Sequence, residues 1–326
     1  MKNVFLLGEC MVELKAQPVS SSSTAENSSS EVNYSKYLKQ SFAGDALNTA
    51  VYLKRTFTDL NTYFISAVGS DQLSTDMVDF FEHEHIKTDF VFRSIEKNVG
   101  LYAIETDDLG ERSFTYWREN SAARQVMSYI DEQVLDIVST GDIVFFSGIS
   151  LAVITPTDRA KFWRFIKKIK DLGAILVFDP NYRARMWDTP AQAKAQFEQA
   201  FSYADILLPG IDDFEQLYAI TTAEAVYDFC KPYQFDELII KNGEGGIVCY
   251  LGEDTYHFPI TPVTNVIDTT SAGDSFNGVY LGARANGYNI TDAVEIAAKA
   301  AGFVIQHHGA IVEQDAYQAF IKTQFS

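Results

Sequence analysis

Short, nearly continuous apolar runs alternate along the chain with longer stretches in which apolar residues recur every three or four positions. The runs are NVFLLG (3–8), TYFISAVG (62–69), DIVFFSGISLA (142–152), AILVFDPN (174–181), DILLPG (205–210) and ELIIKNG (237–243). Unbroken apolarity over so few residues predicts strands buried on both faces. Between them, GDALNTAVYLKRTF (44–57), STDMVDFFEHE (74–84), TPTDRAKFWRFIKKIKDLG (155–173), TPAQAKAQFEQAFSYA (189–204) and TDAVEIAAKAAGFVIQHHG (291–309) carry helical spacing. Several open on Ser, Thr or Asp, and one closes on Gly173, as helix ends do. The alternation predicts an α/β fold, a central and mostly parallel sheet flanked by helices, with ligands at the carboxyl ends of its strands.

One region departs from this pattern. NVGLYAIETDDLGERSFTYWRENS (98–121) holds two strand-like runs around the turn-rich DDLGE, with Phe114, Tyr116 and Arg118 on one side and Thr115 and Trp117 on the other. It predicts a hairpin outside the main sheet. The polar stretch SSSSTAENSSS (20–30) reads as a solvated loop with no assigned role. HEH (83–85) lacks a third ligand nearby and reads as solvated surface, and QHH (306–308) ends a helix.

Composition narrows the classes. A chain of 326 residues that is 47% hydrophobic can bury a large core, and its formal charge of −18 argues against nucleic acid or an anionic membrane as partner. Three separated cysteines, Cys10, Cys230 and Cys249, fit reduced thiols and a cytoplasmic location better than a disulfide framework. Glu9 interrupts the apolar start, so no leader peptide is expected, and no run reaches the roughly 20 residues of a membrane span.

The stretch DTTSAGDSFNG (268–278) concentrates the chemistry. Ser271, Ala272 and Gly273 are small, and Phe276, Val279, Tyr280 and Ala283 continue at helical spacing. That places a compact turn at a helix N-terminus, where free backbone N–H groups and the helix dipole favour an anion. Asp274 stands at the same point. It can cap the helix, or it can take a proton from a hydroxyl that attacks a bound phosphate.

DTTSAGDSF resembles the second signature of the PfkB (ribokinase-like) carbohydrate kinases, and FAGDALNTAVYLKR (42–55) is similar to the family's substrate loop and the helix after it. The resemblance runs from the first strand to HHGAIV (307–312), leaving out the serine-rich stretch. GECMVEL, GLYAIETDDLGERSFTYWRENSAA, SGISLA, FDPNYRARMW and VIDTTSAGDSF look most like the members that act on sugar acids. The resemblance implies one ribokinase-like unit over 1–326, with a small β-sheet lid built from about 10–18, 32–43 and 98–120. It also implies transfer of phosphate from ATP, with Mg²⁺ and a monovalent cation such as K⁺, to the primary 6-hydroxyl of a six-carbon sugar acid.

Site residues are implied by the same resemblance, position by position. Asp274 would be the base, and Ser271, Ala272 and Gly273 the anion hole, with Ala272 and Gly273 also touching the nucleotide. Gly44, Asp45, Asn48, Tyr102, Tyr116, Arg118, Arg183 and Asp274 would hold the sugar acid, the two arginines gripping its carboxylate and the two tyrosines lending hydroxyls. In KNGEGG (241–246), Lys241, Gly243 and Gly246 would meet the nucleotide; no Walker A string exists in the chain. The family's N-x-x-E motif falls at GIDD, with Gly210 and Asp213 in its outer positions; Asp213 would reach Mg²⁺ through water, with Glu215 competing for the role. Asp268 and Thr270 mark the monovalent-cation position. Pairing of subunits through the lid edge is also expected. A neutral-sugar kinase such as a fructokinase would not need the arginine clamp, and a non-catalytic sugar-acid sensor would not need Asp274.

Overall fold

A computed structural model describes residues 2–17, 37–106, 112–130 and 132–325. The serine-rich stretch, the 18 and 32–36 parts of the expected lid segments and the DDLGE turn lie outside the described residues.

The larger sheet has nine strands: β1 (Asn3–Leu7), β4 (Asn61–Val68), β5 (Lys87–Arg93), β8 (Ile143–Ser147), β9 (Ile175–Asp179), β10 (Ile206–Leu207), β11 (Glu237–Lys241), β12 (Ile247–Leu251) and β13 (Asp254–Phe258). Their order is β13-β12-β11-β10-β9-β8-β1-β4-β5, parallel from β11 to β5 and antiparallel through β12 and β13. The apolar runs are continuous because successive side chains enter different cores. Val4, Leu6, Phe145 and Ile239 join the cluster on one face, and Phe5, Leu7, Phe146 and Ile240 the cluster on the other.

Three departures from the sequence pattern have local causes. The run 142–152 is not one strand: Ser147 ends β8 and caps the helix Gly148–Val153, exchanging hydrogen bonds with Ser150 in a capping box. The strands β5 and β13 escape the apolar-run criterion, because both lie at the sheet's edges and lack a two-sided apolar signature. HEH is not wholly solvated either. Glu84 is buried and takes two hydrogen bonds from buried Arg55, Nε at 2.7 Å and Nη2 at 2.6 Å.

The hairpin does lie outside the main sheet. Strands β6 (Gly100–Thr106) and β7 (Arg112–Trp117) join β2 (Met11–Gln17) and β3 (Tyr37–Ala43) in a four-stranded sheet of order β3-β2-β6-β7. Met11, Ala43, Tyr102 and Ile104 form a small core with Ala310 from the C-terminal region, so this sheet packs over one end of the larger one. No helix among the described residues is long and apolar enough to cross a membrane.

Candidate active site

Polar side chains collect at the carboxyl ends of the parallel strands, where this topology places ligands. Glu9 follows β1, Ser147 ends β8, Asp179 ends β9, Asp213 lies beyond β10 and Lys241 ends β11. Opposite them stand two helix N-termini, Asp45–Thr56 and Ala272–Ala285. Gly44, Asp45, Asn48, Tyr102, Tyr116, Arg118, Arg183, Thr270 and Asp274 all line one cleft between the two sheets.

Asp274 sits in the first turn of its helix, buried, with Oδ2 accepting from Asn48 Nδ2 at 2.8 Å and from Ser271 Oγ at 3.3 Å. Burial, then the charges of Asp45 and Asp179, push its carboxyl up to about 7, against the pull of the Asn48 hydrogen bond and of Lys241. Such a group is poised to exchange a proton near neutrality. Asp45 is buried too, and burial raises its carboxyl although Ser147 and Asn181 donate to Oδ2. Its Oδ1 is buried with no hydrogen-bond partner among the described residues.

Ser271 caps the Ala272–Ala285 helix by position only; no side-chain hydrogen bond closes this end. The anion turn is narrower than the sequence pattern implies, because the Ala272 N–H donates to the Thr269 carbonyl at 3.2 Å. The N–H groups of Gly273 and Asp274, in the helix's first turn, have no partner among the described residues, and neither has that of Ser271. A Cβ on Gly273 would meet nothing nearer than Lys241 Nζ at 3.8 Å, so the turn and the lysine face a common space. Lys241 donates to Asn277 Oδ1 at 3.0 Å and to Asp179 Oδ2 at 3.3 Å, and Asn277 Nδ2 donates to the same Asp179 oxygen at 2.6 Å. Gly243 and Gly246 lie in the turn between β11 and β12, where Gly246 accepts from the Asn242 N–H at 2.9 Å.

At the other end of the cleft the tyrosines behave differently from expectation. The Tyr102 hydroxyl donates to Glu13, so it is spent inside the smaller sheet. Its ring stacks on Tyr116 with centroids 5.5 Å apart, and the Tyr116 hydroxyl accepts from Arg185. Both offer ring faces; the Tyr102 hydroxyl proton goes to Glu13, whereas the Tyr116 hydroxyl accepts from Arg185 and keeps its proton to donate. Arg118 is paired with buried Glu9. Arg183 donates to the Tyr182 carbonyl at 2.9 Å, and the Arg185 guanidinium lies 4.1 Å from the Tyr116 ring centroid; neither has a carboxylate partner among the described residues.

Asp213 spends both oxygens on backbone N–H groups, of Tyr182 at 2.7 Å and Gly210 at 3.0 Å. Burial and the neighbouring Asp179 raise its carboxyl, whereas Glu215 is exposed on the helix surface. No cluster of three metal-ligating side chains exists among the described residues. A divalent ion brought in with nucleotide phosphates would have Asp213 and Asp179 as its candidate carboxylates. Asp268 accepts from Thr270 N and Oγ1 at 3.1 and 2.6 Å and from Gly309 N at 3.0 Å, tying the turn's start to the C-terminal region.

Sequence reasoning missed Glu9, Ser147, Asp179, Asn181, Arg185 and Asn277. Asp179, Asn181 and Arg185 stand in the very string, DPNYRAR, that contains Arg183, so their signal is proximity to a recognised site residue. Ser147 and Asn277 carry no local pattern beyond a cap and a helix interior.

Unpartnered backbone N–H groups at a helix N-terminus beside a buried carboxyl, at the carboxyl-end side of a parallel sheet, fit the class of phosphoryl-transfer enzymes. The model of the pfkB family carbohydrate kinases matches residues 1–316, and the chain belongs to that family. It is 33% identical over 324 residues to the 2-dehydro-3-deoxygluconokinase of Haemophilus influenzae, covering 96% of each chain. The Escherichia coli enzyme of the same name is 32% identical, covering 98% of this chain and 99% of the relative. Among solved structures, a PfkB protein from Polaromonas sp. JS666 superposes with a TM-score of 0.82 at 22% identity, over 99% of both chains. A ribokinase II from E. coli in complex with ATP and Mg²⁺ gives 0.80 at 20%, over 100% and 99%. The fold is ribokinase-like, and the protein is a carbohydrate kinase.

Proposed function

We propose that this chain transfers the γ-phosphoryl group of ATP to the 6-hydroxyl of 2-keto-3-deoxygluconate, giving 2-keto-3-deoxy-6-phosphogluconate and ADP. The observation that carries the reading is one cleft holding Asp274, with its raised carboxyl, beside the free N–H groups of Gly273 and Asp274, and arginines without acidic partners at its far end. A six-carbon sugar acid carries a hydroxyl at one end and a carboxylate at the other, which pairs with the carboxyl and the arginines that line this cleft. In a protein of net charge −18, an anionic substrate needs such local cations.

Asp274 takes the proton of the 6-hydroxyl as its oxygen bonds to the γ-phosphorus and the bond to the β-phosphate oxygen breaks, releasing ADP. Asn48 holds the carboxylate in place for that transfer, and the free N–H groups stabilise charge on the moving phosphoryl group. Lys241, held by Asp179 and Asn277, lies on the nucleotide side. Mg²⁺ supplies charge neutralisation on the phosphates when bound. Asp45, which lines the cleft, takes a sugar hydroxyl. Arg183 and Arg185 grip the carboxylate with Arg118, and the rings of Tyr102 and Tyr116 pack on the carbon chain. The smaller sheet acts as the lid that excludes water from the reacting phosphate. Its exposed Leu38 and Trp117 also make it the surface for pairing with a second copy.

The test is an ADP-release assay on 2-keto-3-deoxygluconate, its galactonate epimer, gluconate and fructose. Preference for the first is expected. Turnover of fructose alone would reassign the substrate, and binding of the sugar acid without ADP release would make the protein a sensor. Repeating the assay in potassium and in tetramethylammonium salts tests a cation held at Asp268 and Thr270.

A further inference from the structure

Glu9 lies between β1 and β2, where the chain passes from the larger sheet to the smaller one. Its carboxylate is buried, and both oxygens are engaged: Oε2 accepts from Arg118 Nη2, and Oε1 from Ser121 Oγ. The surroundings fit it closely. A Cβ on Gly44 would come within 2.3 Å of the Glu9 carbonyl oxygen, and one on Gly100 within 2.8 Å of Oε1. Arg118, just past β7, is the one cation bonded to this carboxylate among the described residues, and its Nη1 rests 3.6 Å from Met186 Sδ in the cleft wall.

A buried carboxylate without a cation would be strongly unfavourable, so the pair is fixed as a unit. An arginine fork carries five N–H donors, and Glu9 takes one edge. Arg118 lines the cleft, and with its guanidinium already fixed by Glu9 a further hydrogen bond to a ligand carboxylate costs little more entropy. The charge of Arg118 is already balanced by Glu9, so its contribution to the sugar acid is directional, whereas Arg183 and Arg185 bring unbalanced charge. We propose that Glu9 is a positioning residue of the sugar-acid site, acting through Arg118 to orient its guanidinium for the substrate carboxylate. This rests on the sugar-acid reading of the cleft.

The test is steady-state kinetics with the full chain, on 2-keto-3-deoxygluconate and ATP, for Glu9→Gln, Arg118→Met and the double variant. Glu9→Gln keeps the side chain's shape and its acceptor for Ser121 while removing the charge that holds the arginine. The expected result is a KM for the sugar acid raised at least about tenfold, with kcat within about threefold and the KM for ATP unchanged. The double variant should match Arg118→Met alone, because Glu9 has no other route to the substrate. An unchanged or lowered sugar-acid KM in Glu9→Gln would overturn the proposal, and so would effects that multiply in the double variant. Should Glu9→Gln not fold, comparing the double variant with Arg118→Met decides between the outcomes, since removing both charges leaves none buried alone. A wild-type chain with no turnover of the sugar acid removes the functional reading itself, and the proposal with it.

Discussion

As the proposed base, Asp274 would be both costly to the fold and needed by the chemistry. Its carboxyl is raised from 3.8 to about 7, so the folded chain holds a proton there that the unfolded chain releases. This group's contribution to stability is therefore fully present below the unfolded value and is lost as pH rises through about 7. Asp274→Asn should melt higher than wild type at about pH 8, with the gap closing toward about pH 4. The same variant should lose at least about 10²-fold in turnover while still binding ATP. For wild type, kcat/KM should rise with pH through about 7 as the base ionises. A flat profile, or near-normal turnover in the variant, would remove Asp274 from the base role. Gly273→Ala separates fold from function in another way. Its Cβ meets only Lys241 Nζ at 3.8 Å, so the melting temperature should hold. A methyl group would nonetheless stand in the space for phosphate, and a displacement of about 1 Å there is worth about 10² in rate.

In the proposed mechanism, catalytic alignment depends on how two helices cross. The Asp45–Thr56 and Ala272–Ala285 helices carry Asn48 and Asp274, and their contact fixes the 2.8 Å hydrogen bond between them. Gly278 is a point of close approach: a Cβ there would lie 2.3 Å from the Thr49 carbonyl oxygen and 2.9 Å from the Leu53 nitrogen. Gly278→Ala should cost about 1–3 kcal/mol in denaturant unfolding, as overpacking does, and should lower kcat by spreading the helix ends apart. Unchanged stability would mean that the helices can separate freely. Elements of this kind are legible in the sequence to the extent that they bury a regular face. The inner strands declare themselves because Val4 and Phe5 feed opposite cores, and the anion turn because small residues precede a helical apolar stripe. The edge strands β5 and β13 do not, since each is half solvated. Site contacts that join strand ends far apart in sequence are invisible too. Lys241 meets Asp179 across 62 positions, and Arg118 meets Glu9 across 109, with no local pattern marking either pair.

At the scale of the whole molecule, an acidic protein must admit two anionic substrates. Its formal charge of −18 generates a repulsive field, while Arg183, Arg185 and Lys241 act only at close range inside the cleft. These two influences separate by distance. The Debye length is about 30 Å at 0.01 M salt and about 8 Å at 0.15 M, so added salt removes repulsion from charges spread over the surface. Contacts within about 4 Å in a partly buried cleft are screened far less. Raising ionic strength over that range should therefore increase kcat/KM for the sugar acid by a factor of about two or more, the reverse of an enzyme steered by its net field. Choline chloride at fixed potassium and magnesium keeps the salt effect apart from any specific cation. A neutral sugar, or the sugar acid measured with Arg183→Met, provides the contrast: the neutral ligand should show little change, and the variant should start lower and rise in parallel. A fall in kcat/KM with salt would mean that the cleft arginines govern the field well outside the pocket, and that the surface charge has no part in limiting how fast an anion enters.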